Sequence, residues 1–281
     1  MRTQGLESKK EDIAPQDFFK QTLFQVQCLE NLDRQAILAR LEQYHFVSIR
    51  GLIFPQAVSE ALKTLSQNFD STLDHPAVGE TPDQVMGLFQ KVTLGTQVQK
   101  PKSFIKGQSP KDYERPRFLR ILYSPFWQED RYGFHSLFRT ACQVRNILYD
   151  LPKDFCIDRP VDGLWTAARI HQFPQGGGFF CAHRDGNQYE VILDKGIPYY
   201  YQVFLVLSRK GVDFERGGGF FEENGERYYF EEYCELGDIA IYDGNTLHGV
   251  DPVDPHKRLD LNSINGRMAG FVSFYKDLRH V

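Results

Sequence analysis

The rhythm of hydrophobic positions changes partway along the chain. In Asn31 to Tyr44 (NLDRQAILARLEQY), Ile37, Leu38 and Leu41 recur at helical spacing, and Asp33 stands where an N-cap belongs. HFVSIRGLIF (45–54) then alternates as a strand and turns at Gly51. Pro55 opens a second helix through Ala57, Leu62 and Leu65, since proline fits the first turn, where its missing N–H is not needed. From Asp70 to Asp130 periodicity is poor and Pro, Gly and Lys are frequent, which reads as long loops with short elements of the kind that often cover a site. Phe134 to Leu151 is a third helix, stopped by Pro152.

From residue 162 onward the segments are short and alternating: LWTAARIHQF, FFCAHRD, YYYQVFLVLS, GGFFEE, ERYYFEEY, GDIAIYD, HGVDPV and GRMAGFVSFY. Gly, Pro and Asn-Gly separate them, as in a β-sandwich or small barrel. No helix-length pattern lies between them, so this is not a βαβ array. The pattern predicts a mainly β, α+β fold: a flexible tail over residues 1–15, a helical and loop region over 16–161 that buttresses the β part, and a β core over 162–281. These make one integrated unit.

Composition narrows the function classes. The chain has 281 residues, 41% of them hydrophobic and 25% charged, as in an ordinary globular protein rather than a disordered one. The 23 Phe and 14 Tyr favour strand-rich cores and shaped pockets. A net charge of −4 gives no electrostatic footprint for nucleic acid or an anionic membrane, and no run approaches a membrane span. The basic-leaning stretch from Lys100 to Arg120 reads as a solvated loop rather than a phosphate-binding surface. Five cysteines with no CxxC pair, behind a polar N-terminus without a signal-like apolar core, point to a reduced, cytoplasmic protein.

The first chemical feature is His183-Arg184-Asp185. In an extended chain, residues two apart point to one side, so this spacing aims an imidazole and a carboxylate at one point. His-x-Asp alone is weak. His248 strengthens it, following GDIAIYDGNT at the start of another strand-like segment. Two imidazoles and a carboxylate on one side of a cavity form the facial triad that suits iron(II), with open positions opposite. The other histidines lack a partner at ligand spacing, and His171 reads as structural. Tyr199, Tyr200 and Phe180 are core candidates that can also line a pocket.

The ordered series RIHQFPQGGGFF, HRD, YQVFLVLS, RGGGFFEE, GDIAIYD, LHGVDPV and a basic residue opening the last strand resembles the iron(II)/2-oxoglutarate dioxygenases, of phytanoyl-CoA and prolyl hydroxylase type. The resemblance covers about residues 162 to 277. It implies a double-stranded β-helix (jelly roll) core, with His183, Asp185 and His248 as metal ligands and catalytic centre. It also implies Fe(II), 2-oxoglutarate as co-substrate and O2, hydroxylation of a small molecule as the usual outcome, and succinate and CO2 as co-products. The far carboxylate of 2-oxoglutarate needs a cation, for which Arg258 and Arg267 are the candidates. Arg267, which opens GRMAGFVSFY after an insertion PHKRLDLNSIN, is preferred because a strand positions a side chain better than a loop. Asp185 stands where halogenases of the family carry Gly or Ala, so chlorination is disfavoured. The segments GDIAIYDGNTLHGV and AGFVSFYKD resemble enzymes that tailor natural products. Two other readings stay open: a non-enzymatic, cupin-like jelly roll binding a ligand or metal, and a zinc-dependent hydrolase or isomerase using the same triad.

Overall fold

The computed structural model describes residues 14–76, 81–98, 114–185, 196, 197, 199–223, 225–277 and 279. In its first half lie α1 (Pro15–Thr22), β1 (Leu23–Gln25), α2 (Arg34–Tyr44), β2 (Phe46–Arg50), α3 (Pro55–Asn68), β3 (Asp74–Pro76), α4 (Pro82–Val85), β4 (Phe89–Val98), β5 (Glu114–Tyr123) and α5 (His135–Leu148). Eight strands follow: β6 (Leu164–Pro174), β7 (Gly178–His183), β8 (Tyr201–Val206), β9 (Gly218–Glu223), β10 (Glu226–Tyr229), β11 (Ile239–Asp243), β12 (Leu247–Val253) and β13 (Gly266–Lys276). The tail expected over residues 1–15 lies outside the described residues except for Ala14 and Pro15, and Pro15 already belongs to α1.

The eight later strands form two layers, ordered β11-β8-β13-β6 and β7-β12-β9-β10, with antiparallel neighbours throughout. Apart from the β9–β10 hairpin, which stays within one layer, successive strands cross from one layer to the other, which is the double-stranded β-helix. Alternation decides what each face meets. On β8, Val203 and Leu205 join the core under the helices, while Phe204 and Val206 join the core between the layers; on β11, Ile239 and Ile241 face one way and Ala240 and Tyr242 the other. Ile37 and Leu41 of α2, Val58 and Leu65 of α3, and Phe138 and Leu148 of α5 complete the outer core. Asp33 caps α2 as its position predicts, its side chain accepting from the Ala36 N–H at 3.0 Å.

The segment from Asp70 to Asp130 is not a set of loops. It contains β4 and β5, each ten residues long and paired along their whole length. β5 hydrogen-bonds to β6 through Arg120–Tyr123 and to β7 through Arg117 and Phe118, so it joins the two layers along one side. The part of the Lys100–Arg120 stretch that is described, from Glu114 on, is this strand and not a solvated loop. Arg120 is fully buried, bonded to Asp74, to Gln172 and to two backbone carbonyls. Its opposite-parity neighbours Arg115 and Arg117 face the interior cavity.

Candidate metal centre

His183 ends β7, and its register partner on β12 is His248, so two imidazoles stand side by side on adjacent strands. The pairing shifts register between His248 and Val250, and such a bulge re-aims side chains locally. Asp185 lies two residues past the end of β7. Its backbone N–H donates to the Gly244 carbonyl at 2.8 Å, which anchors it to the turn before β12. The turn cannot carry a larger residue at Gly244, because a Cβ there would sit 2.4 Å from the Tyr200 ring.

These attachments bring the three side chains together. His183 Nε2 is 3.7 Å from Asp185 Oδ1, and His248 Nε2 is 3.6 Å from Asp185 Oδ2. One ligand atom from each lies within 4.8 Å of the others. Ligands at right angles about 2.1 Å from one ion sit about 3 Å apart, so small side-chain shifts would close the set on an ion. The far nitrogens are oriented too. His183 Nδ1 donates to the Cys181 carbonyl at 2.8 Å, and His248 Nδ1 to the Thr246 carbonyl at 2.9 Å. A carbonyl only accepts, so the proton is on Nδ1 and the Nε2 lone pair is left for a metal. Burial, and after it the neighbouring His248, push His183 well below the usual imidazole range; burial also raises the Asp185 carboxyl. A desolvated carboxylate between two imidazole nitrogens is an arrangement that a divalent cation stabilises, and the donor set fits iron(II).

The triad opens on a cavity of about 660 Å³ between the layers. Arg267, on β13, lines it and is buried; Arg258 is exposed in the connection after β12 and does not line it. Arg267 Nε donates to Glu231 Oε1 at 2.5 Å, and the Gly219 N–H donates to Glu231 Oε2 at 3.0 Å. A Cβ on Gly219 would meet Arg267 Nη2 at 2.4 Å, so β9 passes the guanidinium only because residue 219 has no side chain. Phe180 lines the cavity and stacks on His183 at 4.0 Å between ring centroids, whereas Tyr199 and Tyr200 lie in a separate core cluster. His171 lines the cavity, accepting from Arg169 Nε at 3.1 Å. Glu231, Arg169, Arg115 and Arg117 escaped the sequence reading. The last two had a signal, since they share parity with Ile121 and Tyr123 in ERPRFLRILY.

Fold and site together define a double-stranded β-helix protein with two histidines and one carboxylate grouped so that they could hold a metal ion. No family model matches the chain, and no curated protein matches it. Solved structures that it resembles include a Trichoplax adhaerens prolyl hydroxylase in complex with a hypoxia inducible factor peptide (12% identity, 87% of this chain and 89% of that one, TM-score 0.48). Others are a Pseudomonas putida prolyl-4-hydroxylase (13%, 85% and 98%, TM-score 0.47) and a non-haem alpha-ketoglutarate-dependent epimerase from nogalamycin biosynthesis (10%, 86% and 82%, TM-score 0.46). These come from the superfamily that the sequence resembles, but so distant a likeness carries no weight for the chemistry of this chain.

Proposed function

We propose that the protein is an iron(II)- and 2-oxoglutarate-dependent oxygenase that hydroxylates a small organic substrate. The observation that supports this reading is the convergence of His183, Asp185 and His248 on the wall of a cavity that also contains the buried Arg267. With iron(II), 2-oxoglutarate and O2 bound, the centre would supply oxidation of a C–H bond coupled to decarboxylation, leaving succinate and CO2. The chain's own contribution is position. Three ligands fixed on one side leave the cavity side of the ion for small molecules. Glu231 engages Nε of Arg267, which leaves the end-on fork of the two Nη nitrogens for the far carboxylate of the co-substrate. Phe180 and Tyr242 pack on the two histidines and shield the site from water.

A zinc hydrolase would need a general base besides the ligands. Among the described residues lining the cavity, Asp185 is the only carboxylate, Glu231 behind Arg267 is already paired, and the burial and neighbouring cations that push His171 well below the usual imidazole range make it a poor base. The test is anaerobic addition of iron(II) and 2-oxoglutarate to the purified protein. A weak visible charge-transfer band is expected, and Asp185→Ala and His248→Ala should abolish it with far-UV circular dichroism unchanged. A folded wild-type protein without the band would refute the reading.

A further inference from the structure

His171 presents an unused polar group in the middle of the cavity wall. The ladder between β6 and β13 sets the order along that wall: Arg169 is opposite Phe271, His171 opposite Ala269 and Phe173 opposite Arg267. Residues two apart on a strand share a face, so Arg169, His171 and Phe173 line the cavity in turn. Arg169 marks the triad end of this row, since it joins His248 in opposing the rise that burial imposes on the Asp185 carboxyl. Arg267 marks the other end, its guanidinium lying over the Phe173 ring at 5.2 Å. His171 stands between them, with ring centroids 4.4 Å from Phe271 and 6.4 Å, edge-on, from Phe173.

Arg169 decides which nitrogen of His171 carries the proton. Burial, and after it the Arg169 charge, hold this imidazole well below its ordinary range, so the ring is neutral, with one N–H and one lone pair. A guanidinium only donates, and Arg169 Nε donates to His171 Nε2 at 3.1 Å, so Nε2 holds the lone pair and Nδ1 the proton. Arg169 is itself fixed in place. Its Nη1 donates to the Ala167 carbonyl at 2.8 Å, its Nη2 to the Ser273 hydroxyl at 3.2 Å, and the Phe271 and Tyr275 rings flank it at 5.4 and 5.0 Å. The two nitrogens of an imidazole point to different sides, so with Nε2 turned to Arg169 the Nδ1–H is turned away from it. In His183 and His248 a backbone carbonyl takes the Nδ1 proton. In His171, among the described residues, nothing does. A donor enclosed without an acceptor carries a desolvation cost that a ligand oxygen removes.

Resting on the oxygenase reading above, we propose that His171 is a second binding residue for the far carboxylate of 2-oxoglutarate. Its Nδ1–H donates to one oxygen while Arg267 holds the other, and Arg169 is the positioning residue that keeps the proton on that nitrogen. A neutral donor beside the guanidinium orients the carboxylate and adds no second buried charge.

Nitrogen NMR of histidine-labelled protein reads the tautomer directly. His171, assigned by the signals lost in His171→Phe, should show a protonated Nδ1 and an unprotonated Nε2, and Arg169→Met should bring in the opposite tautomer. With Zn(II) present, 2-oxoglutarate should shift the His171 Nδ1 signal, and 2-oxovalerate, which has a methyl group where the far carboxylate stands, should not. Calorimetry with Mn(II) gives the affinities. His171→Phe keeps a ring on Phe271 but removes the donor, so it should weaken 2-oxoglutarate about tenfold and leave 2-oxovalerate within about twofold of wild type. His171→Asn, which retains an N–H near the Nδ1 position, should lose less. An Nε2–H tautomer in wild type, an equal loss for both acids, or unchanged 2-oxoglutarate affinity in His171→Phe would overturn the proposal. If the wild type gives the charge-transfer band and His171→Phe binds 2-oxoglutarate as tightly, the role of His171 falls and the oxygenase reading stands; a folded wild type without the band sinks both.

Discussion

The buried pair Arg267–Glu231 offers a sharp test, because removing its acid should weaken the fold and sharpen the co-substrate response at once. Glu231 is 8% exposed and Arg267 2%. In Glu231→Gln the shape is kept, but the amide has one oxygen where the carboxylate used two, one for Arg267 Nε and one for the Gly219 N–H. One donor is left facing an NH2 group, and the guanidinium is left as an uncompensated buried charge. Breaking a buried pair in this way costs about 3–5 kcal/mol. For a chain of this length about 2 °C of melting temperature follows each kcal/mol, so apo Glu231→Gln should melt roughly 6–10 °C below wild type. If 2-oxoglutarate places its far carboxylate on Arg267, it supplies the missing charge. Its thermal shift should then be larger in the variant than in wild type, measured by differential scanning fluorimetry with Mn(II) present. A variant that melts like wild type would show that the pair is not energetically buried. A depressed melting point with no gain in the 2-oxoglutarate shift would place the co-substrate elsewhere.

Other outcomes follow from the same geometry. Arg258→Ala should leave 2-oxoglutarate affinity within about twofold of wild type by calorimetry, as expected for an exposed loop cation, while Arg267→Gln should weaken it about tenfold or more. Asp185→Ala should lose Mn(II) binding by electron paramagnetic resonance; retention of wild-type affinity would show that the three side chains do not share an ion. His171 is held neutral in the fold, whereas the unfolded chain takes a proton near pH 6.5, so its contribution is intact above that pH and is lost as pH falls below it. Going from pH 7 to pH 5, His171→Gln should therefore lose about 1–2 kcal/mol less stability than wild type in urea melts. Parallel curves would count against a neutral, buried His171.

What could be read from the sequence and what could not divide on physical lines. β6, β8 and β11 to β13 announced themselves because their inward and outward faces are both apolar or cleanly alternating, and the triad because its ligands sit at strand ends beside turn signals. Asp33 and Pro55 marked helix starts through local chemistry, and both starts hold in the structure. β5 stayed hidden because charged residues interrupt its apolar ones, one of them, Arg120, fully buried. Arg120 is stabilised by Asp74 and Gln172, which come from distant segments, and Arg115 and Arg117 face a polar cavity. The partner of Arg267 was equally unreadable, since Glu231 sits in a 3-10 turn within ERYYFEEY, where an acid looks like ordinary surface. The choice between Arg258 and Arg267, by contrast, turned on strand against loop, and the fold separates them on that basis.

The folded-over sheet is closed by different means on its two sides. On one side β5 stitches β6 to β7 with backbone hydrogen bonds. On the other, no ladder joins β2 to β10 among the described strands, and the gap is filled by Phe18 and Phe19 of α1, wedged among Phe46, Phe221 and Tyr228. A stitched side resists parting because several bonds must break together, whereas a greased wedge can lift out as one short helix. Breathing of the roll should therefore hinge at β5 and open on the α1 side, where side-chain packing rather than a backbone ladder holds the layers together, and amide exchange should be faster along β2 and β10 than along β5.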